Sequence, residues 1–275
     1  MTARRQAPAL PNHDPAAADQ ADPWLRLRRF TRARIALGRT GHSQPTDSVL
    51  AFGLAHAQAR DAVHLALDVG AVTAALDAAG LAHATVHSAA PDREHYLRRP
   101  DLGRRLDEAS RARLDAARPR QAPDVVFVIA DGLSALATQR HALPLLQAAR
   151  ERLPQGWQIG PVVVAEQSRV ALGDEIGERL GARQVVMLIG ERPGLSSPDS
   201  LGIYLTYAPR VGRTDAERNC ISNVRPEGLS CVEAAGRLVF LLCGAAALGR
   251  SGVDLKDDSA PALPSASAEA PPQLR

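Results

Sequence analysis

One segment constrains the fold of this chain more than any other. Val185–Ile189 is a short, fully apolar run, and it ends abruptly in the charged turn Gly190-Glu-Arg-Pro-Gly194. Runs of this kind are typical of strands buried on both faces of a parallel sheet. The turn then lies at the carboxyl end of the strand, which is where open α/β sheets bind their ligands.

The pattern of strand, polar turn and helix is repeated along the chain. Val125–Ile129 precedes Asp131-Gly-Leu-Ser134, and a run over 159–165 precedes Glu166-Gln-Ser-Arg-Val170. Further strands are predicted at 203–207 and, shorter, at 220–223, and helices at 135–153, around 176–180 and at 230–248. This order predicts an α/β fold whose C-terminal part is a doubly wound, mostly parallel, Rossmann-like sheet.

The residues before 120 show helical patterns and no strand signal of similar strength. An Arg-dense amphipathic stretch covers 25–37, and helices are predicted from Thr46 to His64 and from Leu102 to Leu114. We therefore predict a smaller helical domain over 23–118 and an α/β domain over 119–257. Residues 1–22 and 258–275, rich in Pro, Ala and Asp or Ser, are predicted to be disordered tails.

Composition excludes several classes of function. The net charge is only +3, and the arginines of 26–39 are not interleaved with aromatic residues, so docking onto an acidic protein surface is favoured over RNA binding. The longest uncharged apolar stretch, 238–249, is shorter than the ~20 residues of a membrane span. The N-terminus lacks the apolar core of a secretory signal, and three cysteines without metal-ligand spacing suit a reducing compartment. A soluble cytoplasmic protein is expected.

Three strand-end turns carry the polar side chains, and in a parallel sheet all three face the same edge. Ser134 can cap the following helix, whose free N–H groups favour an anionic or amide-bearing ligand. The alternative is that these residues are ordinary caps and solvated charges. Glycine-rich nucleotide loops and hydrolase motifs are missing from the sequence, so a large ligand with many amides fits the turns better than a bare phosphate.

One further cluster is ambiguous. His56, Arg60 and His64 share a helix face at spacings of four. The central arginine argues against a bound cation, so a stripe that faces solvent or a partner is the favoured interpretation, and no role is assigned to it.

An ordered set of motifs resembles the small subunit of ethanolamine ammonia-lyase, an adenosylcobalamin-dependent enzyme. The most specific are Asp131-Gly-Leu-Ser134, Gly190-Glu-Arg-Pro-Gly-Leu195 and Asn219-Cys-Ile-Ser-Asn223. Others lie at 31–41, 56–64, 96–106 and 252–258, so the resemblance covers residues 31 to 258 in order.

The resemblance implies a subunit without a catalytic residue or metal site of its own. In the family, a large catalytic subunit binds ethanolamine, cobalamin lies between the subunits, and radical chemistry yields acetaldehyde and ammonia. The cobalamin contacts of the family's small subunit fall here on Val170, Glu191 and Cys220, so residues 119–257 become the cobalamin-binding domain. No contact with nucleic acid or membrane is implied.

Two matters stay open at this stage. Some family members carry an amphipathic leader into a bacterial microcompartment, but residues 1–22 are broken by prolines, which favours a free cytoplasmic enzyme. The alternative function is a non-catalytic α/β module that binds a metabolite or nucleotide, against which the missing phosphate loops argue.

Overall fold

The computed structural model describes residues 23–259. The chain divides into two compact units, Met1–Ala57 and Gln58–Arg275, and each is described by itself. The segments 1–22 and 260–275, predicted to be disordered, lie outside the described residues.

The described part of the first unit contains little regular secondary structure. A 3-10 helix covers Pro23–Phe30, irregular chain follows, and helix α1 (Thr46–His64) starts here and continues into the second unit. The predicted helix from Thr46 to His64 is thus confirmed, whereas the Arg-dense stretch is helical only in its first part. Ala55 is the one buried apolar residue described between 23 and 57.

The second unit contains a mixed α/β arrangement. Its helices and strands, in chain order, are α2 (Val69–Ala78), β1 (His83–His87), α3 (Arg93–Arg98), α4 (Glu108–Ala116), β2 (Val125–Ala130), α5 (Ala135–Arg150), β3 (Val162–Glu166), α6 (Leu172–Leu180), β4 (Gln184–Gly190), β5 (Leu201–Tyr207), β6 (Arg218–Val224) and α7 (Cys231–Leu248).

The strands form one six-stranded sheet in the order β1-β3-β2-β4-β5-β6. Strands β1 to β4 pair in parallel, and β5 and β6 extend the sheet in antiparallel pairing. The prediction of an α/β fold is confirmed, and three of the five strand pairings are parallel. All five predicted strands are present within one to three residues of their expected limits.

Alternate residues of the central strands pack into two separate cores, one on each face of the sheet. Phe127 and Leu188 belong to the core that contains buried residues of α5 and α7. Val128 and Met187 belong to the second core, which is completed by residues of α4 and α6. The central strands are buried on both faces, which is why they are continuous apolar runs in the sequence.

One strand precedes residue 120, within the segment that the sequence predicted to be a helical domain. Strand β1 pairs with β3 from His83↔Val162 to His87↔Glu166. It is an edge strand in which only Val86 is buried, so it lacks the apolar run that marks the central strands. An edge strand with one partner can carry polar residues at most positions.

The helix predicted from Leu102 to Leu114 is shorter than expected. Residues Leu102–Arg104 form a 3-10 turn, and α4 begins only after Asp107. The Asp107 carboxylate accepts the N–H of Ser110 at 2.7 Å and so caps the helix there. The chain between turn and helix is extended, and Leu106 forms a β-bridge with Ser88.

Helix α7 is the one helix in the described part of the chain that is long and apolar enough to cross a membrane. Six of its residues, including Leu238, Leu241 and Leu242, are buried in the first core. A core helix that packs on a sheet has this composition for that reason.

Candidate functional site

The carboxyl ends of β3, β2 and β4 lie side by side, as the sequence predicted. The turn after β2 contacts both of its neighbours: Leu133 donates its N–H to the carbonyl of Gly190 at 2.9 Å, and Asp131 contacts the turn after β3. A Cβ on Gly132, whose φ is +55°, would lie 2.2 Å from that same carbonyl oxygen. The close approach of these two turns therefore requires glycine.

Asp131 is not a helix cap, although the sequence left that interpretation open. Its side chain is buried, and its two carboxylate oxygens accept the backbone N–H groups of Gln167 and Ser168, each at 2.9 Å. Burial raises the pKa of Asp131, and these N–H groups and the charge of Arg93 oppose that change. The carboxylate joins two adjacent strand-end turns.

Ser134 does cap a helix, as predicted. Its hydroxyl accepts the N–H of Ala137 at the start of α5 and donates to the carbonyl of Pro198 at 2.8 Å. Pro198 belongs to the loop between β4 and β5, so the cap of α5 also fixes that loop.

Glu191 follows β4 and is half-buried. Its carboxylate accepts the hydroxyl of Ser200 at 2.5 Å, the hydroxyl of Ser222 at 2.7 Å and the N–H of Asn223 at 3.3 Å. The side chain thus fastens the loop after β4 to the end of β6. Since a carboxylate has about four lone-pair positions, one acceptor position is left for a ligand.

Tyr204 connects Cys220 with the surroundings of this carboxylate. Tyr204 on β5 is the cross-strand partner of Cys220 on β6, and its ring borders Gly202 together with Glu191. Cys220 is exposed. Desolvation of the thiol and the charge of Glu191 raise the pKa of Cys220, and a hydrogen bond with Tyr204 opposes them.

Val170 lies on the same face of the sheet. It is half-buried just before α6 and, like Tyr204, packs against the second core. The structure therefore brings Val170, Glu191 and Cys220 to one face. We call the surface formed by Val170, Glu191, Gly202, Tyr204, Cys220 and Ser222 the β5–β6 strip.

Comparisons with known proteins identify relatives of this chain. The model of the ethanolamine ammonia-lyase light-chain family matches residues 21–256. The chain belongs to that family. The small subunits of ethanolamine ammonia-lyase from Azotobacter vinelandii and Ralstonia nicotianae are each 59% identical to it, over 86% and 88% of this chain and 89% and 91% of their own lengths. The small subunit from Pseudomonas syringae pv. tomato is also 59% identical, over 88% of this chain and 85% of its own.

Membership confirms the resemblance inferred from the motifs and makes this chain the small subunit of a lyase. A small subunit implies a large one. The β5–β6 strip offers an apolar ring and a valine beside a carboxylate, a hydroxyl and a thiol. Surfaces of this mixed kind suit a large ligand with an apolar body and a polar periphery.

Several side chains at the site were missed in the sequence. Tyr204 and Ser222 complete the strip, and Arg93 and Tyr96 support the turn after β3. The motif at 96–106, which begins with Tyr96, was the sequence feature that could have indicated this residue. Asn219, in another motif, holds the motif at 252–258 through hydrogen bonds to Gly252 and Leu255.

The remaining candidates give no site. His56, Arg60 and His64 are exposed on α1 at the expected spacing. Within residues 23–259, no group of three or more His, Cys, Asp or Glu side chains is placed to hold a metal ion.

Proposed function

We propose that this lyase subunit binds one side of adenosylcobalamin on the β5–β6 strip, at the interface with the large catalytic subunit. The observation that carries the proposal is the convergence of Val170, Glu191 and Cys220 on one sheet face that the strand-end turns border. The strip is part of a sheet to which we assign a doubly wound, Rossmann-like character over residues 119–257, and the segment 23–118 before it adds the edge strand β1 to its helices.

The residues of the strip fit a corrin. The Tyr204 ring and Val170 provide apolar contact, and Gly202 keeps the surface between Glu191 and Tyr204 flat, since a Cβ there would lie 3.1 Å from Glu191 Cγ. The free acceptor position of Glu191 can take an amide N–H, and the Ser222 hydroxyl, which donates its hydrogen to Glu191, can accept a second amide N–H. Burying amides requires such partners.

The reaction that we propose for the complex is the conversion of ethanolamine, bound on the large subunit, to acetaldehyde and ammonia. When bound, adenosylcobalamin supplies the radical chemistry by cleavage of its cobalt–carbon bond. In this proposal, residues 23–259 of this chain contribute neither a catalytic residue nor a metal ligand. Its residues orient the cofactor and exclude water from the face that they cover.

A cofactor titration of the assembled complex tests the proposal. The subunit is co-expressed with the large subunit, and adenosylcobalamin is titrated by its absorption spectrum. Val170→Asp should raise the Kd at least tenfold because it buries a charge against the corrin, whereas Val232→Asp, at a valine exposed on α7, should leave it unchanged. Equal Kd values for the two variants would contradict the proposal, and nucleotide binding by the isolated subunit would favour the regulatory module instead.

The described residues of the first unit suggest how the complex is held. Seven large apolar side chains are exposed there, including Trp24, Phe30 and Leu50. The same residues include six arginines and only one acidic residue, Asp47. A segment with one buried apolar residue cannot be stabilised by a core of its own. We propose that residues 23–57 dock on an apolar, acid-rimmed surface of the large subunit, with no contact to nucleic acid or membrane.

Copurification measures this docking. The double change Phe30→Ser and Leu50→Ser should reduce recovery of the large subunit, and salt should weaken the remaining binding. Val211→Ser, at a valine that is 65% exposed in the second unit, is the control. Undiminished recovery with the double variant would refute the docking surface.

We propose a cytoplasmic location, because the three cysteines, Cys220, Cys231 and Cys243, are all free thiols in the structure. Encapsulation in a bacterial microcompartment is tested by fractionation: copurification with shell proteins would replace the cytoplasmic assignment.

A further inference from the structure

The turn after β3 holds a conformation that its own sequence does not favour. Gln167 has φ +51°, in the left-handed region, where a residue other than glycine is strained by about 1 kcal/mol or more. The turn leads directly to Val170 and α6. Some other part of the molecule must therefore hold it in place.

A buried polar network provides that support from the side of β2. Asp131 accepts the N–H groups of Gln167 and Ser168, the strained residue and its successor. The Arg93 guanidinium donates through Nη1 to Asp131 at 3.2 Å and to the carbonyl of Gly132 at 2.9 Å, and it also reaches the Gln167 side chain at 3.4 Å. One guanidinium thus joins both turns.

The same turn is held from its other side by the chain between 96 and 103. Tyr96 is fully buried, lies against the guanidinium groups of Arg93 and Arg169, and donates its hydroxyl to the carbonyl of Ser168 at 2.9 Å. Arg169 donates its N–H to the carbonyl of Gly103 at 2.8 Å. A Cβ on Gly103 would lie 2.9 Å from Arg169 Cγ, so the fit is close.

Four of these hydrogen bonds involve the backbone of 167–169 directly, two through Asp131, one through Tyr96 and one through Gly103. Arg93 acts on the turn through Asp131 and the Gln167 side chain, and it also donates to the carbonyl of Val63. Buried polar groups of this kind stabilise a fold no better than apolar packing does, but they fix one geometry. The geometry that they fix is the position of Val170 relative to the other residues of the strip. The motif at 96–106, which the proposed function left without a role, supplies two of the supporting residues.

We infer that Asp131, Arg93 and Tyr96 are positioning residues that hold the turn after β3 in the conformation that receives the cofactor. The inference rests on the proposed function. A positioning role of this kind predicts a change in cofactor affinity with little change in turnover once the site is filled.

The test uses Asp131→Asn in the assembled complex. The amide keeps one acceptor oxygen but turns its NH2 group either toward Ser168 or toward Gln167 and Arg93, which share one carboxylate oxygen, so at least one charge-assisted hydrogen bond is lost. We expect the Kd and the half-saturating concentration of adenosylcobalamin to rise roughly tenfold, and kcat at saturating cofactor to stay within about twofold. Tyr96→Phe, which removes only the hydroxyl, is the milder second variant and should raise the Kd roughly threefold.

A rescue separates positioning from general stability. Gln167→Gly removes the strain at φ +51°, so it should restore most of the affinity in the Asp131→Asn background. Glu175→Gln is the matched control, since Glu175, in the first turn of α6, is also a largely buried carboxylate that accepts a backbone N–H and an arginine. Its partners are Leu106, Arg111 and Arg179, and not the backbone of 167–169. This variant should lower the melting temperature and leave the cofactor Kd unchanged.

The outcomes are distinct. Loss of stability without a change in Kd for Asp131→Asn and Tyr96→Phe, or a fall in kcat at saturation with an unchanged Kd, would overturn the inference. Failure of Gln167→Gly to restore affinity would also count against it. If the Kd is the same for Val170→Asp and the wild type, the proposed function itself fails, whatever the Asp131 variants do.

Discussion

Glu191→Ala is the substitution that examines the strip most directly. It removes a half-buried carboxylate that accepts from Ser200, Ser222 and the backbone of Asn223. It should weaken cobalamin binding and leave the assembly with the large subunit intact.

The size of the stability loss follows from the exposure of the three donors. Ser222 and Asn223 are exposed, so water replaces the lost acceptor for both. Ser200 is 6% exposed, and its hydroxyl is left with one less partner in a place that water reaches poorly. We therefore expect a loss of about 2 kcal/mol in the free energy of unfolding, not the sum of three full hydrogen bonds.

The effect on cofactor affinity is separate, and its size follows from the fourth acceptor position of the Glu191 carboxylate. A hydrogen bond from a corrin amide to a carboxylate contributes about 1.5 kcal/mol, so its removal should raise the Kd roughly tenfold. Glu191→Gln keeps an acceptor oxygen and should fall between the wild type and Glu191→Ala in both measurements.

The assay is a titration of the assembled complex with adenosylcobalamin, together with urea unfolding of the small subunit. The variant Ser200→Ala is the control, because it removes the buried fastening and leaves both the carboxylate and Ser222 in place. If that variant reproduces the whole loss of affinity, Glu191 acts only by fixing the loop. Cofactor binding that is unchanged in Glu191→Ala would refute the role of this residue altogether.

Three further predictions follow from single contacts. Gly132→Ala should destabilise the protein by about 2–4 kcal/mol in urea unfolding, because its Cβ would meet the carbonyl of Gly190 at 2.2 Å, and a loss below about 1 kcal/mol would contradict the geometry. Burial alone would raise the pKa of Glu175, but hydrogen bonds, among them one from Arg111, hold it below its ordinary value of 4.5, so the stability that it contributes is present at neutral pH and is lost as the pH falls below that value. Unfolding measured against pH should therefore show a shallower acid limb for Glu175→Gln, and an identical limb would disprove the assignment. Cys220, whose pKa is raised, should be alkylated more slowly at pH 7.5 than a free model thiol and more slowly still with cobalamin bound; mass spectrometry measures both rates, and labelling indifferent to the cofactor would place Cys220 outside the site.

The central strands could be predicted because burial on both faces removes polar residues from them. β2 and β4 have every residue buried, and each appears in the sequence as an apolar run, which in β4 follows Gln184 at the start of the strand. β1 could not be found in this way, since an edge strand is constrained at few positions and only Val86 is buried. The apolar run identifies a strand through its neighbours, and a strand with one neighbour gives a weak signal.

The antiparallel direction of β5 can be predicted from the length of its connection to β4. Ten residues separate β4 from β5, and none of them is helical. A parallel pair of adjacent strands requires a crossover of about a dozen residues or more, usually with a helix, so a connection of this kind indicates antiparallel pairing. Chain direction was thus fixed by the connection and not by the strands.

The site divides in the same way. The turns that follow β2, β3 and β4 were found because they depend on residues adjacent in sequence. Arg93 and Tyr96 were missed because their contacts reach across 38 and 72 residues, to Asp131 and Ser168. Nothing in the local pattern of a short helix distinguishes a surface arginine from one that joins two turns of a sheet.

The use of aromatic residues explains why these missed positions matter. Only 3% of the residues are aromatic, and the cores are built from aliphatic side chains around Phe127. Two of the three tyrosines nevertheless lie at the site, Tyr204 on the strip and Tyr96 beneath the turn before Val170. A ring with a hydroxyl gives a rigid surface that also donates a hydrogen bond. The proposed function, orientation of a cofactor by this subunit, requires rigid surfaces of this kind, because small displacements of a bound reactant reduce rates strongly. Tyr96 and Tyr204 therefore lie where the proposed cofactor contact requires a fixed geometry.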